Sequence, residues 1–442
     1  MMAGTNEGGH CRFWLPKKNR FCSQPPLRDS SYCGNHTSRS NQQWIPCPID
    51  PSHSVLGDNL RNHIARCPLQ KQALSLSLQP YYQKGINAGT EGEEEEEGPV
   101  TSEQKRRAIH SKTAEQFFDL IRKIKTLHAS VVAHEDIVRH SFQIPDACAI
   151  WADRQVDQKL PFQEKHARQQ ASILGNMEQF GILEKPGLTD VEHSEVPAVV
   201  DFGAGRGYLT QMLADCYGIK KVILVERKAY KLKADRSLRQ IESLELERLR
   251  IDIEDLNLNA VESLQGLSYL AIGKHLCGPA TDMMLKCCIW PRGVRDGEKC
   301  FLRGLAVATC CHHLCQWKHY INKSFMSNLG VTKDDFHAMT WFTSWAVDSD
   351  HEYDLSEIDE SQHLNLMEED TSGPDAKQSE VEGAIKKMSP ADRAVLGLMC
   401  KDIIDVGRLM WLKEQSLLHS RMVNYVPPSI SPENHLLIAS GR

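Results

Sequence analysis

No apolar run in these 442 residues approaches the roughly 20 needed to cross a bilayer as a helix. The opening, "MMAGTNEGGHCRFW", lacks the apolar core of a secretory signal. Both absences predict an intracellular protein with no membrane partner. Its 15 cysteines are therefore expected as reduced thiols or metal ligands rather than disulfides. Residues 1–70 are also poor in aliphatics and cannot build an ordinary core. There is no internal repeat, and no strong basic localisation cluster to separate nucleus from cytoplasm.

What the core-poor stretch does contain is metal ligands. Cys11, Cys22, Cys33 and His36 form one set of four, with gaps of ten, ten and two residues. Cys47, His53, His63 and Cys67 form a second, with gaps of five, nine and three. In "DNLRNHIARC" Asp58 can cap a helix, and the four-residue spacing puts His63 and Cys67 on one face. Zinc takes four N/S ligands in a tetrahedron, and binding would supply the folding free energy that apolar burial does not. Two structural Zn2+ ions are expected; the bland alternative is scattered reduced cysteines.

The net charge of −6 conceals two acidic segments. Residues 91–97 carry six Glu and no Lys or Arg, and residues 348–382 carry 13 acidic residues and one Lys. Outside them lie 51 basic and 39 acidic residues, a net of +12. A basic body with acidic appendages suits a nucleic-acid partner, although many soluble proteins carry such an excess without one. No obligate protein partner is deducible. Composition divides the chain into two small metal-binding modules (1–40 and 41–72), an acidic disordered linker (73–102), a helical region (103–190) and an α/β domain (191–442). The last is interrupted by an acidic disordered insertion at 348–383.

The spacing predicts one helix over about 103–140, with Phe117, Leu120, Ile124, Leu127 and Val131 on an apolar seam. The seam suits a short coiled coil or packing against the main domain. Further helices are expected over 163–182 and about 389–416. From 197 onward strand-like runs alternate with helical patterns: 198–202, 221–226, 249–253, 269–275 and 305–310, then two short strands near the chain end. That alternation predicts an α/β fold with a parallel sheet and crossover helices.

"VVDFGAGRGYLTQML" (199–213) reads as strand, glycine turn and helix start. Gly203, Gly205 and Gly207 permit a sharp bend and close ligand approach, and the helix N-terminus favours an anion. Asp201 ends the strand, and Glu226, ending the next, can accept bonds from two ribose hydroxyls. Asp252, Ile253 and Asp255 follow the third strand, where an adenine would lie. This set resembles the seven-stranded S-adenosylmethionine-dependent (Rossmann-like) methyltransferase fold more than a dinucleotide enzyme.

In that fold the ends of the fourth and fifth strands, "GKHLCGPATD" (273–282) and "TCCHHLC" (309–315), face the transferred methyl. Neither holds the Asp/Asn-Pro-Pro-aromatic signature that cradles an exocyclic amine. Oxygen methylation needs a group to take or orient a hydroxyl proton, and Lys274 and His275 are placed for it, with Asp282 completing the candidate catalytic set. Cytosine-C5 methylation needs a thiolate, and Cys310 with Cys277 resembles that arrangement. A metal among Cys310–Cys315 is not expected, because adjacent residues on a strand point to opposite faces.

Taken together, both finger sets, "DFGAGRGYLT", "GKHLCGPATD", "ATCCHHLC", "TSWAV" (343–347) and "SPENHLLIAS" (431–440) resemble the eukaryotic tRNA 2′-O-methyltransferase family that modifies nucleotide 4 of the acceptor stem. The second finger is also similar to the CHHC finger of spliceosomal RNA-binding proteins. The resemblance covers nearly the whole chain apart from the acidic segments. It implies S-adenosylmethionine as cofactor, tRNA as partner, and methylation of cytidine or adenosine ribose in tRNAs of glycine, proline and histidine type. The Lys-Asp-Lys-Glu tetrad of other ribose methyltransferases is not evident. The A-form minor groove displays 2′-hydroxyls, so ribose in a duplex is reached without flipping, whereas cytosine C5 lies in the deep major groove. The alternatives are a C5 enzyme using Cys310, and a non-enzymatic RNA-binding protein that retains the fold as a relic.

Overall fold

A computed structural model describes residues 10–15, 20–28, 30–33, 36, 44–49, 53–89, 98–133, 136–157, 164–184, 198–228, 238–289, 300–348, 380–415, 417 and 419–441. The chain divides into two units, Met1–Gln79 and Pro80–Arg442. The cores of the predicted acidic linker and insertion, 90–97 and 349–379, lie outside the described residues.

In the first unit β1 (Trp14–Leu15) pairs antiparallel with β2 (Arg20–Phe21), and β3 (Trp44–Pro46) with β4 (Ser54–Leu56). Helices α1 (Leu60–Arg66) and α2 (Pro68–Ser77) follow. Asp58 does not cap α1. It lies inside a 3-10 turn, Gly57–Asn59, one residue too early, and Asn59 is the N-cap.

In the second unit the helix expected over 103–140 is broken in two, α3 (Ser102–His110) and α4 (Ala114–Val131). Each starts on a capping box. Thr101 with Gln104, and Thr113 with Gln116, bind each other's backbone N–H groups, so the chain restarts a helix at each threonine. The seam residues Phe117, Leu120 and Ile124 are buried in one apolar cluster with Phe342, Leu396 and Ile403, so the seam packs into the unit's own core.

Then come β5 (Ile137–Val138), α5 (Asp146–Asp157), α6 (Glu164–Gln179), β6 (Ala198–Phe202), α7 (Tyr208–Tyr217), β7 (Lys221–Val225) and β8 (Glu245–Leu249). Next are β9 (Ser268–Cys277), α8 (Pro279–Cys288) and β10 (Phe301–Cys310). After short helices, α9 (Pro390–Glu414), β11 (Ser420–Asn424) and β12 (His435–Ser440) close the chain. The sheet order is β5-β11-β12-β10-β9-β6-β7-β8. Strands β6 to β10 are mutually parallel, and β12 runs antiparallel to both neighbours. The eighth strand, beyond the seven expected, is the two-residue β5 on the edge. The third parallel strand lies at 245–249 rather than 249–253. Asp252 accepts the Glu254 N–H and starts a 3-10 turn, Ile253–Asp255, so that stretch cannot pair. Residues 80–89, which composition assigned to a linker, are held: Asn87 is buried and its Nδ2 donates to the Ile253 and Leu256 carbonyls at 2.6 and 2.8 Å.

Parallel pairing brings the carboxyl ends of β6, β7, β9 and β10 to one edge, where such sheets bind ligands. Among the described residues no helix is long and apolar enough to cross a membrane.

Candidate functional site

The glycine turn joins β6 to α7. Gly203, Gly205 and Gly207 have φ of +63, +52 and +78°, a region that side chains rarely enter. A Cβ on Gly203 would also lie 3.2 Å from the His275 carbonyl, so the turn abuts the end of β9. Glu226 follows β7 and spans the turn: one carboxylate oxygen accepts the Gly205 N–H at 3.0 Å, the other the Lys228 N–H at 2.9 Å. Arg248 donates to the Gly205 carbonyl at 3.3 Å. A glycine cradle at a helix start with a carboxylate on its rim fits the methionine and ribose parts of S-adenosylmethionine.

Asp201 lies beneath the turn rather than on it. It is buried, accepts the Thr210 hydroxyl at 2.6 Å, and burial pushes its carboxyl up to about 7. Asp201 thus braces the turn against α7. Asp252 is partly exposed, accepting from Arg227 at 3.0 Å, while Ile253 is buried and Asp255 accepts the Gly85 N–H at 2.8 Å. Segment 80–89 therefore underpins this side of the site, a role composition did not disclose.

At the end of β9, Lys274 is buried and donates to the His166 carbonyl at 3.3 Å; burial lowers its pKa to about 8. His275 projects outward on the other strand face. Although the residue reaches the surface, desolvation of its ring by packed neighbours, and then the adjacent Lys274, lower its pKa to about 4. Asp282 is elsewhere: it starts α8, is buried, and is bound by the Arg408 guanidinium at 2.6 and 3.1 Å. Locked in that pair, it cannot reach a substrate.

Three thiols lie at the ends of β9 and β10. Cys277 and Cys310 are paired across the two strands, with sulfurs 3.8 Å apart. Strand alternation stops there. Cys311 turns left-handed, φ +53°, and residues 312–314 form a 3-10 turn. The expectation that Cys310 and Cys311 face opposite ways therefore fails, and the sulfurs of Cys277, Cys310 and Cys311 lie within 4.8 Å of one another. Hydrogen bonds from Cys310 and then Cys311 hold the Cys277 thiol well below its usual range, to about 3; the same bond pushes Cys310 well up.

Behind this edge α9 carries Asp402, Asp405 and Arg408, all buried. One Asp405 oxygen accepts the Thr309 hydroxyl at 2.8 Å and lies 2.9 Å from His312 Nε2 and 2.8 Å from His435 Nδ1. His435 Nε2 lies 3.2 Å from Asp402, which also takes His128 and Arg139. Burial works against both aspartates, but the histidines and arginines hold them well below the usual carboxylate range, and the two aspartates raise His435. Glu433 joins the backbone N–H of Cys311 to Lys401, each 3.0 Å away. From the other side Lys105 of α3 donates to the His313 and Cys315 carbonyls, both at 2.9 Å. Our sequence reading missed this network. Its one signal was Lys401, Asp402, Asp405 and Arg408 grouped in the otherwise apolar middle of a long helix.

Both finger sets converge. Cys11, Cys22 and Cys33 are buried, Cys11 and Cys33 each 3.4 Å from His36 Nδ1, with Cys22 and Cys33 4.0 Å apart. The Phe13 ring stacks on His36 at 3.9 Å and orients it. In the second set His63 Nε2 lies 3.3 Å from Cys47 and 3.1 Å from His53, and Cys67 is 3.9 Å from His53. These are thiolate–imidazole sets fit for tetrahedral zinc.

Comparison with known proteins agrees with this geometry. Residues 168–440 match the methyltransferase TRM13 family, residues 9–37 the CCCH zinc finger of TRM13 proteins, and residues 44–68 the U11-48K-like CHHC zinc finger. A "tRNA:m(4)X modification enzyme TRM13" of Oryza sativa subsp. japonica is 53% identical over 51% of this chain and 91% of its own. The Mus musculus homologue is 28% identical over 98% and 94%, and the Saccharomyces cerevisiae enzyme 25% over 98% and 96%. This chain, with two zinc fingers ahead of an S-adenosylmethionine-binding sheet, belongs to the TRM13 methyltransferase family.

Proposed function

We propose that this chain transfers a methyl group from S-adenosylmethionine to the ribose 2′-hydroxyl of cytidine or adenosine at position 4 of the tRNA acceptor stem, in tRNAs of glycine, proline and histidine type. The observation that carries this reading is near-full-length similarity to enzymes named for modification of tRNA at a position 4. The bound cofactor supplies an electrophilic methyl; everything else falls to the chain. Gly203, Gly205 and Gly207 hold its methionine end, Glu226 its ribose, and Asp252 and Ile253 border its adenine. Lys274 takes the hydroxyl proton, since a base that titrates near the operating pH is best matched to proton transfer, and its pKa lies at about 8. His275, on the opposite face of the strand, is the alternative group for that proton. The fingers, 1–40 and 41–72, with the basic surface of the following domains, 103–190 and 191–442, bind tRNA phosphates inside the cell.

The C5 alternative requires attack on a base edge in the deep, narrow major groove of the acceptor-stem duplex, whereas the ribose hydroxyl is displayed in the open minor groove. The relic alternative leaves a glycine cradle with Glu226 bridging it without a purpose. Incubation with labelled cofactor and tRNA, followed by nucleoside analysis, tests the proposal. A 2′-O-methylated nucleoside is expected; 5-methylcytidine, or no label, overturns it. For the base, kcat should rise about tenfold per pH unit below pH 8. A flat profile from pH 6 to 9 reassigns the proton to His275.

A further inference from the structure

Two observations at the ends of β9 and β10 have no part in the mechanism above. The first is spacing. A tetrahedral zinc with Zn–S bonds of about 2.3 Å separates neighbouring sulfurs by about 3.8 Å. Cys277 and Cys310 sit at 3.8 Å, and Cys311 completes a set within 4.8 Å. The first finger offers an internal standard, since its Cys22 and Cys33 sulfurs lie 4.0 Å apart. The Cys277–Cys310 pair is thus as close as a thiol pair of the zinc finger, and Cys311 lies within the same 4.8 Å limit that both finger sets meet.

The second is how they are gathered. Along a continuing strand Cys311 would point away from Cys310. Instead Cys311 is, among the described residues, the only non-glycine residue with positive φ. Left-handed backbone at a cysteine is unfavourable and persists only where the surroundings enforce it. Here they do. Glu433, itself paired with Lys401, accepts the Cys311 N–H, and the Gly278 N–H donates to the Cys310 carbonyl at 3.1 Å. Gly278 has φ +55°, and a Cβ there would meet Leu314 at 2.6 Å, so β9 and the turn after β10 are locked together. The network behind the sheet thereby fixes three sulfurs toward one point.

We infer that Cys277, Cys310 and Cys311 form a third zinc site, with three thiolate ligands and a fourth position left open to water. Thiolates select a borderline-soft cation over Mg2+ or Ca2+, and three protein ligands leave zinc able to take an exogenous oxygen. Binding replaces the S–H protons of Cys310 and Cys311, which leave to solvent, with no change of oxidation state. The fingers are closed four-ligand sites, whereas this one is three-coordinate from the protein and partly exposed.

The test is zinc content of the full chain, purified under reducing conditions and measured by inductively coupled plasma mass spectrometry. Cys277→Ser and Cys311→Ser should each lose one zinc equivalent relative to the parent, with the α/β circular dichroism retained and the thermal transition lowered only by the loss of bound metal. In the cobalt-loaded protein the thiolate-to-cobalt charge-transfer band should fall with them. Equal zinc in parent and both variants overturns the inference. So does a Cys277–Cys310 disulfide in the reduced preparation, read as a loss of two mass units. Cys310→Ala, which keeps a small side chain at the strand end, serves if either serine variant misfolds. Because the readout is a difference in metal content, it is independent of both methyl transfer and the finger zincs.

Discussion

Two carboxylates beside the glycine turn, Asp201 beneath it and Glu226 across it, illustrate how position sets the work of a side chain. Asp201 is buried with one hydroxyl partner, and its pKa stands near 7 against an ordinary value near 3.8. Its folded pKa exceeds its unfolded one, so the native state binds more protons between about pH 4 and 7. Its contribution is therefore most favourable below pH 4 and declines as pH rises through 7, by a few kcal/mol at most. Asp201→Asn keeps an acceptor for Thr210 but has no charge to bury. Its melting temperature should exceed that of the parent at pH 8 and approach it at pH 5; a difference of equal size at both pH values would refute the argument. Glu226 is different, being partly exposed and already shaped by two backbone N–H groups. Charged hydrogen bonds are worth about 1.5–3 kcal/mol, so Glu226→Gln should weaken S-adenosylmethionine binding about 10- to 100-fold by calorimetry. Binding within threefold of the parent would remove Glu226 from the cofactor site.

Helix α9 is the element on which the site leans. It is buried along most of its length, yet carries four charged side chains, Lys401, Asp402, Asp405 and Arg408, in its apolar body. Breaking one partner out of a buried ion pair costs about 3–5 kcal/mol, because the remaining charge is stranded. Asp282→Ala, which deprives Arg408 of a partner, should destabilise the second unit by about that amount in urea unfolding. Activity per folded molecule should fall far less than in Lys274→Met. A large kcat loss at full stability would instead return Asp282 to the chemistry. Much of this was hidden from the sequence for reasons of distance. Asp405 meets His312 93 residues away, and Arg408 meets Asp282 126 residues away. Periodicity sees only neighbours along the chain. Four of the five parallel strands, the glycine turn and the place of Glu226 beside it were legible because hydrophobic runs and glycine-rich turns are local signals. The third strand was placed four residues late because its residues, Glu245–Leu249, interleave charge with leucine. The finger ligands were legible because four N/S donors recur twice in a stretch without a core. The convergence of Cys310 and Cys311 was not, because a single backbone angle reverses the alternation that strand logic assumes.

At the scale of the molecule the two units have different sources of stability. Among the described residues Met1–Gln79 has few buried aliphatics and gathers two four-ligand sets fit for zinc, while Pro80–Arg442 has an extended apolar core. Chelation should unfold the first unit and leave the cooperative thermal transition of the second, visible as retained α/β circular dichroism. Loss of both together would show that the second unit needs the metal. The same treatment should weaken tRNA binding, and in the untreated chain raising salt from 50 to 200 mM should lower tRNA affinity at least tenfold, as expected when several phosphates are neutralised. An affinity insensitive to salt would remove the basic body from recognition.

Lys105 marks where this enzyme can be cut. Helix α3 lies well upstream of residues 168–440, yet its lysine holds the His313 and Cys315 carbonyls, and α4 covers the apolar face that Leu396 and Ile403 present. A chain begun at residue 168 would strand those two carbonyls and expose that face. Residues 80–89, pinned beneath the turn at 253–256, move the limit further back. The smallest fragment expected to fold alone therefore starts near residue 80, and expression of residues 168–440 alone should yield aggregates rather than a slower enzyme.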